Sequence, residues 1–378
     1  MELKEYRFDE VTINFDKKRV PLSGAQREKR QGKYRYYGAQ GVIDHIDDFI
    51  FDGTYLLIAE DGENLKSKKQ NIAQVVEGQF WVNNHAHIVQ GNKLCDTRYL
   101  CYLLNSMDLS GYVTGSAQPK LSQANLNAVR LFLPPISVQN KIVEYLYMFD
   151  KKIAVNQQIN DNLQQQAITI FREWFLADPE SKEWPIVTLD CLTSLVSRGI
   201  APKYTDDSEQ IVLNQKCIRD HYIDVSLGRP HTPKVINEKW LKYGDLLINS
   251  TGEGTLGRAA QVWFIPENVT VDSHVTIVRA KNQLLMYYIG LWGITHEREI
   301  EALHTGSTGQ TELPRDRVKA IELHLPDDHT LIRFNAVIAP IVSAIVANQR
   351  ENTYLASIRD ALLPKFMSGE IDVSDIQL

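Results

Sequence analysis

The chain is 378 residues long, which allows two or three domains of roughly 100–200 residues each. Its net charge of −6 excludes a general electrostatic attraction to nucleic acid, although an average charge says nothing about local basic patches. The apolar run AVIAPIVSAIVA at 336–347 is shorter than the roughly 20 residues of a membrane span, and the N-terminal sequence MELKEYRFDE lacks the apolar core of an export signal. Because the 4 cysteines form no C-x-x-C pair, we predict a protein of the reducing cytoplasm without structural zinc.

Residues 1–135 are predicted to form a domain of mixed α and β structure. The segments DGTYLLIAEDG (52–62) and NNHAHIV (83–89) contain apolar strands bounded by Gly, Asp and Asn turns, and DTRYLCYLLNS (96–106) has helical spacing. His85 and His87 share a strand face, but no third ligand lies at a diagnostic spacing. We therefore interpret these histidines as packing or polar surface residues rather than as a metal site.

A basic segment lies inside this first domain. Between residues 17 and 35 the only acidic residue is Glu28, and Tyr34, Tyr36 and Tyr37 lie at its end. Basic side chains over phosphates, with aromatic rings packed on sugars or bases, are typical of duplex DNA binding, whereas many charged runs are solvated loops. The sequence leaves both interpretations open. The candidate DNA contacts are Lys17, Arg27, Lys29, Arg30, Lys33, Tyr34 and Tyr36.

The first domain ends in a Gly-Ser turn that the chain repeats. Residues 115–134 are GSAQPKLSQANLNAVRLFLP and residues 306–326 are GSTGQTELPRDRVKAIELHLP, with their first glycines 191 residues apart. Glycine permits close approach of the backbone, and polar side chains beside it can donate to phosphates or base edges, although a plain turn before a strand has a similar composition. The candidate DNA contacts are Gly115, Ser116, Gln118, Lys120, Gly306, Ser307, Gln310 and Arg315.

Long helices are predicted over 136–177 and 328–367. In both, apolar or amide residues recur in steps of four and three, as in the a/d seam of a coiled coil, and the second seam repeats the first after 192 residues, interrupted by Arg359. Each seam has two asparagines at its centre, which predicts an antiparallel pair of helices, each about 48 Å long, whose amides face one another. The seam residues are Ile142, Leu146, Phe149, Ile153, Asn156, Asn160 and Leu163, and Ile338, Ile341, Ile345, Asn348, Asn352 and Leu355.

Residues 178–327 repeat the first domain with insertions. YGDLLINSTGEG (243–254) and VDSHVTIV (271–278) echo its two strand segments, and NQLLMYYIGLW (282–292) echoes its helical segment. GEGTLG (252–257) matches the G-x-G-x-x-G of dinucleotide sites, but the strand-like RAAQVWFI follows it, so we predict a glycine hairpin. The candidate DNA contacts are Arg198, Lys203, Asn214, Lys216, Asn249, Thr251 and Arg258.

The predicted fold class is therefore α+β. Two mixed α/β globular domains lie in tandem, separated by two long helices that form an antiparallel coiled coil, with a pseudo-two-fold internal repeat of about 192 residues. A C-terminal tail at 368–378 follows the second helix. Because the helices match closely while the domains differ, the pattern is typical of two different binding domains held on one repeated spacer.

Motifs of a catalytic centre are missing from the sequence. It contains no Walker A motif, no Asn-Pro-Pro-Tyr-like methyltransferase motif and no Asp…Glu-x-Lys nuclease cluster. We therefore predict a DNA-binding protein that is not an enzyme and has no cofactor or metal. Two alternatives stay open at this point: a stand-alone DNA methyltransferase or nuclease with unrecognised motifs, and a coiled-coil scaffold that binds no DNA.

Over essentially its whole length, the chain resembles the specificity subunit of a type I restriction–modification enzyme. The resemblance lies in GSAQPKLSQANLNAVRLFLPPISVQNKIV (115–143), IFREWF (170–175), EWPIVTL (183–189), GSTGQTELPRDRV (306–318) and ALLPKFMSGEI (361–371). One departure is ELHLPDDHTLIRF (322–334), which lacks the second proline and the glutamine usual at this turn.

The resemblance implies that 1–135 and 178–327 are target recognition domains, each recognising one half of a split double-stranded DNA sequence. It implies that the helices set the separation of these domains and dock two modification (methyltransferase) subunits, which restriction (translocase–nuclease) subunits then join. Adenine methylation and ATP-driven cleavage would belong to those partners, and no membrane association is expected. Domains about 34–36 Å apart on one face of a duplex would recognise two short sequences with a spacer between them.

Overall fold

The computed structural model describes residues 2–67, 70–115, 118–233, 236–306 and 311–373. The chain consists of two compact units: unit 1 is Met1–Ile153 with Tyr354–Leu378, and unit 2 is Ala154–Thr353. Each unit thus contains a globular portion and a part of both long helices. The domain bounds proposed from sequence treat the helices as separate segments, and they differ from these units because the helix residues pack into the cores of the globular portions.

The globular portion of unit 1 is of mixed α and β structure. Its helices and strands, up to the start of the first long helix α6, are β1 (Lys4–Arg7), α1 (Phe8–Val11), β2 (Thr12–Asn14), α2 (Gly24–Glu28), β3 (Gln31–Gly38), β4 (Gly41–Ile46), β5 (Phe51–Ala59), α3 (Asn64–Ser67), β6 (Ala73–Val82), β7 (Ala86–Gly91), α4 (Thr97–Ser106), α5 (Gln123–Asn127), β8 (Arg130–Leu133) and α6 (Ile136–Arg172). The main sheet has the strand order β2-β7-β5-β6-β3-β4, and β1 pairs with β8.

The core of unit 1 lies between this sheet, α4 and the two long helices. α4 begins at Asp96, whose side chain accepts hydrogen bonds from the first free amides of the helix and so caps it. The helix buries Tyr99 and Leu103 against the apolar strand β5, and Ile142 of α6 joins the same cluster. Because apolar residues cover both faces of β5 and β7, the ends of these strands are held rigidly.

The globular portion of unit 2 has the following elements, up to the second long helix: β9 (Ile186–Thr188), α7 (Leu189–Leu192), β10 (Thr193–Arg198), β11 (Ile211–Leu213), β12 (Ile218–Arg219), β13 (Tyr222–Ile223), β14 (Arg229–Pro230), β15 (Leu246–Asn249), β16 (Ala259–Gln261), β17 (Val269–Val271), β18 (Val275–Ala280), α8 (Met286–Thr295), α9 (Glu297–Ala302), α10 (Arg315–Lys319), β19 (Glu322–His324) and α11 (Asp328–Ser368). Its strands form the sheets β10-β18-β15-β16 and β14-β11-β17, with the pairs β12–β13 and β9–β19.

The internal repeat is visible in the registers of the strands. In unit 1, Leu56 lies opposite Val89 across β5 and β7. In unit 2, Leu246 lies opposite Val278 across β15 and β18 in the corresponding register. The first and last strands of each globular portion pair in the same way, β1 with β8 and β9 with β19. The units differ in the segments between these shared elements: unit 1 has the paired strands β3 and β4 there, whereas the described residues of unit 2 form the shorter strands β11 to β14.

GEGTLG forms the glycine hairpin predicted from its flanking sequence. It connects β15 to β16, which are antiparallel neighbours. Gly257 has a φ of +85°, and a Cβ at this position would lie 2.9 Å from the carbonyl oxygen of Glu297. Glycine is therefore needed both for the backbone conformation and for the close approach of α9. A dinucleotide site would require a helix here instead of β16.

The long helices pack antiparallel within each unit, as the seam predicts. In unit 2 the Asn156 amide donates to the Asn352 side-chain oxygen at 2.9 Å, and the Asn348 amide donates to Asn160 at 2.8 Å. In unit 1 the rings of Tyr145 and Phe366 stack at 6.2 Å. α6 continues as a π-helical turn, Glu173–Ala177.

Arg359, which interrupts the second seam, forms an ion pair in unit 1. Its Nη1 lies 2.6 Å from Asp150 on α6, and Asp150 also accepts a hydrogen bond from Tyr102 of α4. The residues 192 positions away in unit 2 are Ala167 and Val342, which are fully buried. A charged contact in one unit therefore replaces an apolar contact in the other.

By length and composition, α11 is apolar enough to cross a membrane, with an 18-residue window of mean hydropathy 1.8, of which 28% is buried. The uninterrupted apolar run at 336–347 is shorter than this 18-residue window. Core helices of soluble proteins pass the same test, and here Phe334, Ile338 and Val342 pack in the core of unit 2.

We expect the Asn156→Ala substitution to lower the free energy of unfolding by about 1–3 kcal/mol, because it removes a buried amide that donates to the half-buried Glu351 and Asn352 side chains. Urea denaturation of the intact chain measures this change. Gln157→Ala, at the exposed neighbouring position, is the matched control and should change stability by less than about 0.5 kcal/mol. Equal effects of the two substitutions would contradict the assigned role of the Asn layer.

Candidate nucleic-acid interface

In both units a backbone bridge closes the Gly-Ser segment. The amides of Thr114 and Lys120 donate to each other's carbonyl oxygens at 2.9 and 2.8 Å, and Thr305 and Glu312 exchange the same bonds at 2.8 and 2.9 Å. The glycine that follows each threonine has a positive φ, +84° at Gly115 and +102° in the second unit, which disfavours any other residue. Both glycines are exposed.

Each closed segment is attached to the end of an equivalent strand. The amide of Leu121 donates to the carbonyl of Glu60 at 2.8 Å, directly after β5. The amide of Leu313 donates to the carbonyl of Ser250 at 2.8 Å, directly after β15. Because the strands are buried, these bonds fix where each segment emerges at the surface.

A histidine completes the arrangement in both units. In unit 1, His85 Nδ1 lies 2.7 Å from Asp61 Oδ2, and in unit 2 His274 Nδ1 lies 2.8 Å from Thr251 Oγ1. We call the two equivalent surfaces the first hairpin site (Glu60, Asp61, His85, Thr114 and Lys120) and the second hairpin site (Ser250, Thr251, His274, Thr305 and Glu312). The two sites share a backbone framework and differ in side chains.

The bridge residue that carries a charge differs in sign between the two hairpin sites, Lys120 in the first and Glu312 in the second. In the first, the ammonium group of Lys120 lies 3.2 Å from the carboxylate of Glu60. In the second, the carboxylate of Glu312 lies 2.7 Å from Arg198, which also donates to the carbonyl of Leu313 at 2.9 Å. Each hairpin therefore carries one half of an ion pair, the cation in the first site and the anion in the second.

His87 forms a buried ion pair beneath the first hairpin site that the sequence did not predict. Burial of His87 opposes its charge, but hydrogen bonds to Asp16 and to the Leu121 carbonyl outweigh burial and raise the pKa of His87. Burial of Asp16 likewise opposes its charge, yet the bonds from His87 and the Ile88 amide lower the pKa of Asp16. Burial also opposes ionisation of Glu60, and contacts led by Arg19 nevertheless lower its pKa.

The basic segment of unit 1 is only partly available for DNA. Arg27 lies 2.9 Å from Asp44, and Arg30 lies 2.8 Å from Asp47, so two of the predicted cations are paired with carboxylates. Lys17, Lys29 and Lys33 are exposed.

The two tyrosines predicted as DNA contacts in this segment have different environments. The prediction for Tyr36 is wrong, because its ring is fully buried and its hydroxyl accepts a hydrogen bond from the Leu22 amide at 2.9 Å. Tyr34 is half-buried, with its ring 5.1 Å from that of Phe49.

One prediction for unit 2 is also wrong. Asn249 is completely buried and donates to the carbonyl of Gln215 at 3.1 Å, because it occupies the last position of a central strand. Asn214 accepts from the Lys216 amide at 2.9 Å and caps a turn. The exposed or half-buried candidates are Lys203, Lys216, Thr251, Arg258 and Arg315.

Gln118 is exposed beside the first bridge, whereas Ser116, Ser307 and Gln310 lie outside the described residues. Within the described ranges, no three His, Cys, Asp or Glu side chains are grouped as metal ligands.

The residues that sequence reasoning missed, Glu60, Asp61 and Glu312, directly follow or face the repeated strands. Their signal is the recurrence of LLIAEDG (56–62) as LLINSTG (246–252).

Comparison with known proteins gives consistent matches. Residues 2–165 match the model of the type I restriction modification DNA specificity domain. A putative type I restriction enzyme specificity subunit of Haemophilus influenzae is 27% identical over 84% of this chain and 82% of its own length. The specificity subunit of the type I restriction enzyme MjaIX of Methanocaldococcus jannaschii is 25% identical over 74% of this chain and 70% of its own length.

A solved structure extends the match to the fold. The crystal structure of the S subunit of a type I restriction–modification system from M. genitalium superposes with a TM-score of 0.57, covering 97% of this chain and 96% of that one at 12% identity. The α+β fold with its two repeated portions is thus shared with that subunit. Residues 2–165 thus match the specificity domain, and most of the chain is similar in sequence to specificity subunits of type I restriction enzymes.

Proposed function

We propose that this chain is the non-catalytic subunit that gives a type I restriction–modification complex its DNA sequence specificity. It recognises a bipartite double-stranded target through two recognition domains, the globular portions of units 1 and 2. The observation that carries the proposal is the repetition of the hairpin site on an identical strand framework with different side chains. A shared framework with altered chemistry is what recognition of two different half-sequences requires.

Contacts to the DNA backbone come from the exposed cations. Lys17, Lys29 and Lys33 lie within 20 residues of one another, and none is within ion-pair distance of a carboxylate in the described part of the chain. Phosphate contacts of this kind supply affinity and register. Base contacts come from the hairpin sites, where Gln118 and the oppositely charged Lys120 and Glu312 are exposed.

The long helices bind the partner subunits of the complex. Tyr147 and Met148 of α6 in unit 1 and Ile332 and Val337 of α11 in unit 2 are exposed apolar residues, which favours protein contact at these positions. We assign these surfaces to two modification subunits, with restriction subunits completing the complex. Adenine methylation and ATP-driven cleavage belong to those partners. DNA as the target and four free cysteines favour a cytoplasmic location.

We expect removal of one heptad from each helix to shorten the recognised spacer. Deleting residues 149–155 and 353–359 removes the ion-paired Asp150 and Arg359 together and keeps both Asn pairs, which fix the alignment of the helices. Each helix then loses about 10 Å, equivalent to roughly three base pairs. Mapping methylated adenines in cells that carry the shortened gene measures the spacer; an unchanged spacer would reject the helices as its determinant.

We expect the double substitution Lys29→Glu and Lys33→Glu to weaken DNA binding by the assembled complex uniformly across sequences. Losing two phosphate contacts should reduce the slope of log affinity against log salt by about 0.9 for each contact. Lys93→Glu is the control, because this exposed lysine follows the C-terminal end of β7 and lies outside the basic segment. It should leave the slope unchanged. An unaltered slope in the double variant would place these lysines outside the interface.

We expect Met148→Glu to weaken assembly with the modification subunit, because a charge replaces an exposed apolar side chain. The mass distribution of the reconstituted complex measures assembly. Gln158→Glu, exposed on the same helix, introduces the same charge elsewhere and should leave assembly intact. Full assembly of the Met148 variant would show that this face is not the docking surface.

A further inference from the structure

Both ring nitrogens of His87 lie next to hydrogen-bond acceptors. Nδ1 lies 2.6 Å from Asp16 Oδ2, and Nε2 lies 2.8 Å from the carbonyl oxygen of Leu121. A carbonyl oxygen can only accept, and the carboxylate of Asp16 already accepts from the Ile88 amide through its other oxygen. Each ring nitrogen must therefore carry a proton, so the folded unit holds His87 as the imidazolium. Its side chain is 1% exposed.

His87 connects two segments of unit 1 through its two ring nitrogens. Asp16 belongs to the turn that begins the basic segment, and Leu121 directly follows the bridge that closes the first Gly-Ser segment. The imidazolium of β7 holds one on each side. It therefore fixes the basic segment and the first hairpin site relative to the same strand.

Other charged groups surround this imidazolium. Arg19 lies 3.5 Å from Asp16 and 2.9 Å from Glu60, and Lys120 of the hairpin lies 3.2 Å from Glu60. Glu60, at the end of β5, also favours the charged form of His87. His85, which directly precedes β7, is half-exposed and contacts Asp61.

Among the described residues of unit 2, the position equivalent to His87 carries no charged side chain. Thr276 occupies the position of His87, since Ile58 lies opposite His87 and Ile248 lies opposite Thr276. Its hydroxyl lies 2.5 Å from that of Ser250, the residue equivalent to Glu60. Two neutral hydroxyls thus stand where unit 1 has an ion-paired imidazolium.

We infer that protonated His87 is a positioning residue for the first recognition domain and that its loss of a proton weakens recognition of one half of the target only. This inference rests on the proposed function. Without the proton, one nitrogen of His87 faces an acceptor as a second acceptor, so either the Asp16 turn or the hairpin loses its hydrogen bond to the imidazole and is held by its backbone bonds alone. The second recognition domain keeps its hydroxyl contact at every pH.

The direction of the pH effect follows from the shifts of both partners. A raised pKa means that His87 stabilises unit 1 fully below its ordinary value of 6.5, and this stabilisation is lost as pH rises through the raised pKa. The lowered pKa values of Asp16 and Glu60 act on the acid side, where stabilisation is lost as pH falls below about their ordinary values of 3.8 and 4.5. Among these three groups, the alkaline change therefore belongs to His87.

Hydrogen exchange on the intact chain tests the inference without DNA. The amides of Lys120 and Leu121 report on the first hairpin, and those of Glu312 and Leu313, which make the equivalent bonds, are the internal control. Between pH 6 and pH 9, after correction for intrinsic rates, protection of the first pair should fall about tenfold for each unit by which the pKa is raised. Unchanged protection of the first pair, or an equal loss in both pairs, would overturn the inference.

Two variants separate titration from simple loss of packing. The double substitution His87→Thr and Glu60→Ser copies the neutral hydroxyl pair of unit 2. It should abolish the pH dependence of amide protection in the first hairpin. His45→Gln removes an exposed histidine of the same unit and should preserve it. If the His87→Thr and Glu60→Ser variant unfolds, direct titration of the His87 ring by NMR in the intact chain decides. A pKa at or below 6.5 would overturn the inference.

Binding by the assembled complex tests its consequence for recognition. The probe is a duplex carrying the bipartite target mapped from methylated adenines, compared with duplexes altered in either half. Raising the pH should reduce discrimination at one half and leave the other unchanged. Equal responses of both halves would overturn the inference alone. Failure to bind the target at any pH would overturn the proposed function, while hydrogen exchange would still test the role of His87.

Discussion

The pairing of asparagine amides between two antiparallel helices, with Asn156 buried and its three partners half-buried, is the constraint on which the rest of the structure depends. Asn156 with Asn352 and Asn348 with Asn160 leave one alignment of α6 and α11 in which no amide of these layers lacks a partner. An apolar seam alone would tolerate a slip by a heptad, because leucine and isoleucine layers are interchangeable. The polar layers therefore define which residues of the two helices meet.

The same framework supports different chemistry in the two units. Strand registers, hairpin closure and attachment are repeated, whereas the side chains on them change from Glu60 and Lys120 to Ser250 and Glu312. Backbone hydrogen bonds do not depend on which side chains the residues have. The exposed side chains of the hairpin sites can therefore diverge without loss of the fold. The ion pair of Arg359 with Asp150, where unit 2 has Ala167 and Val342, shows the same divergence inside the helix pair.

Sequence reasoning succeeded where the determining interactions are local or periodic. Helix periodicity located the seam with its Asn pairs, and the strand-like flank of GEGTLG excluded a dinucleotide site in favour of a hairpin. It failed where a distant partner decides the environment of a side chain. Tyr36 is covered by the segment that contains Leu22, and the pairing of His87 with Asp16 joins residues 71 positions apart. A basic run in sequence likewise does not reveal that its cations are paired. Arg27 pairs with Asp44 of β4, and Arg30 pairs with Asp47 directly after β4.

The central claim is that two dissimilar recognition domains on one repeated framework specify a divided DNA sequence. Genome-wide mapping of methylated adenines, in cells with this gene and in cells where residues 178–327 are exchanged for those of a related subunit, tests it most directly. The account predicts a motif of two short parts with a fixed gap, of which the exchange alters one part and keeps the other part and the gap. A single continuous motif, or an exchange that changes both parts or neither, would contradict it.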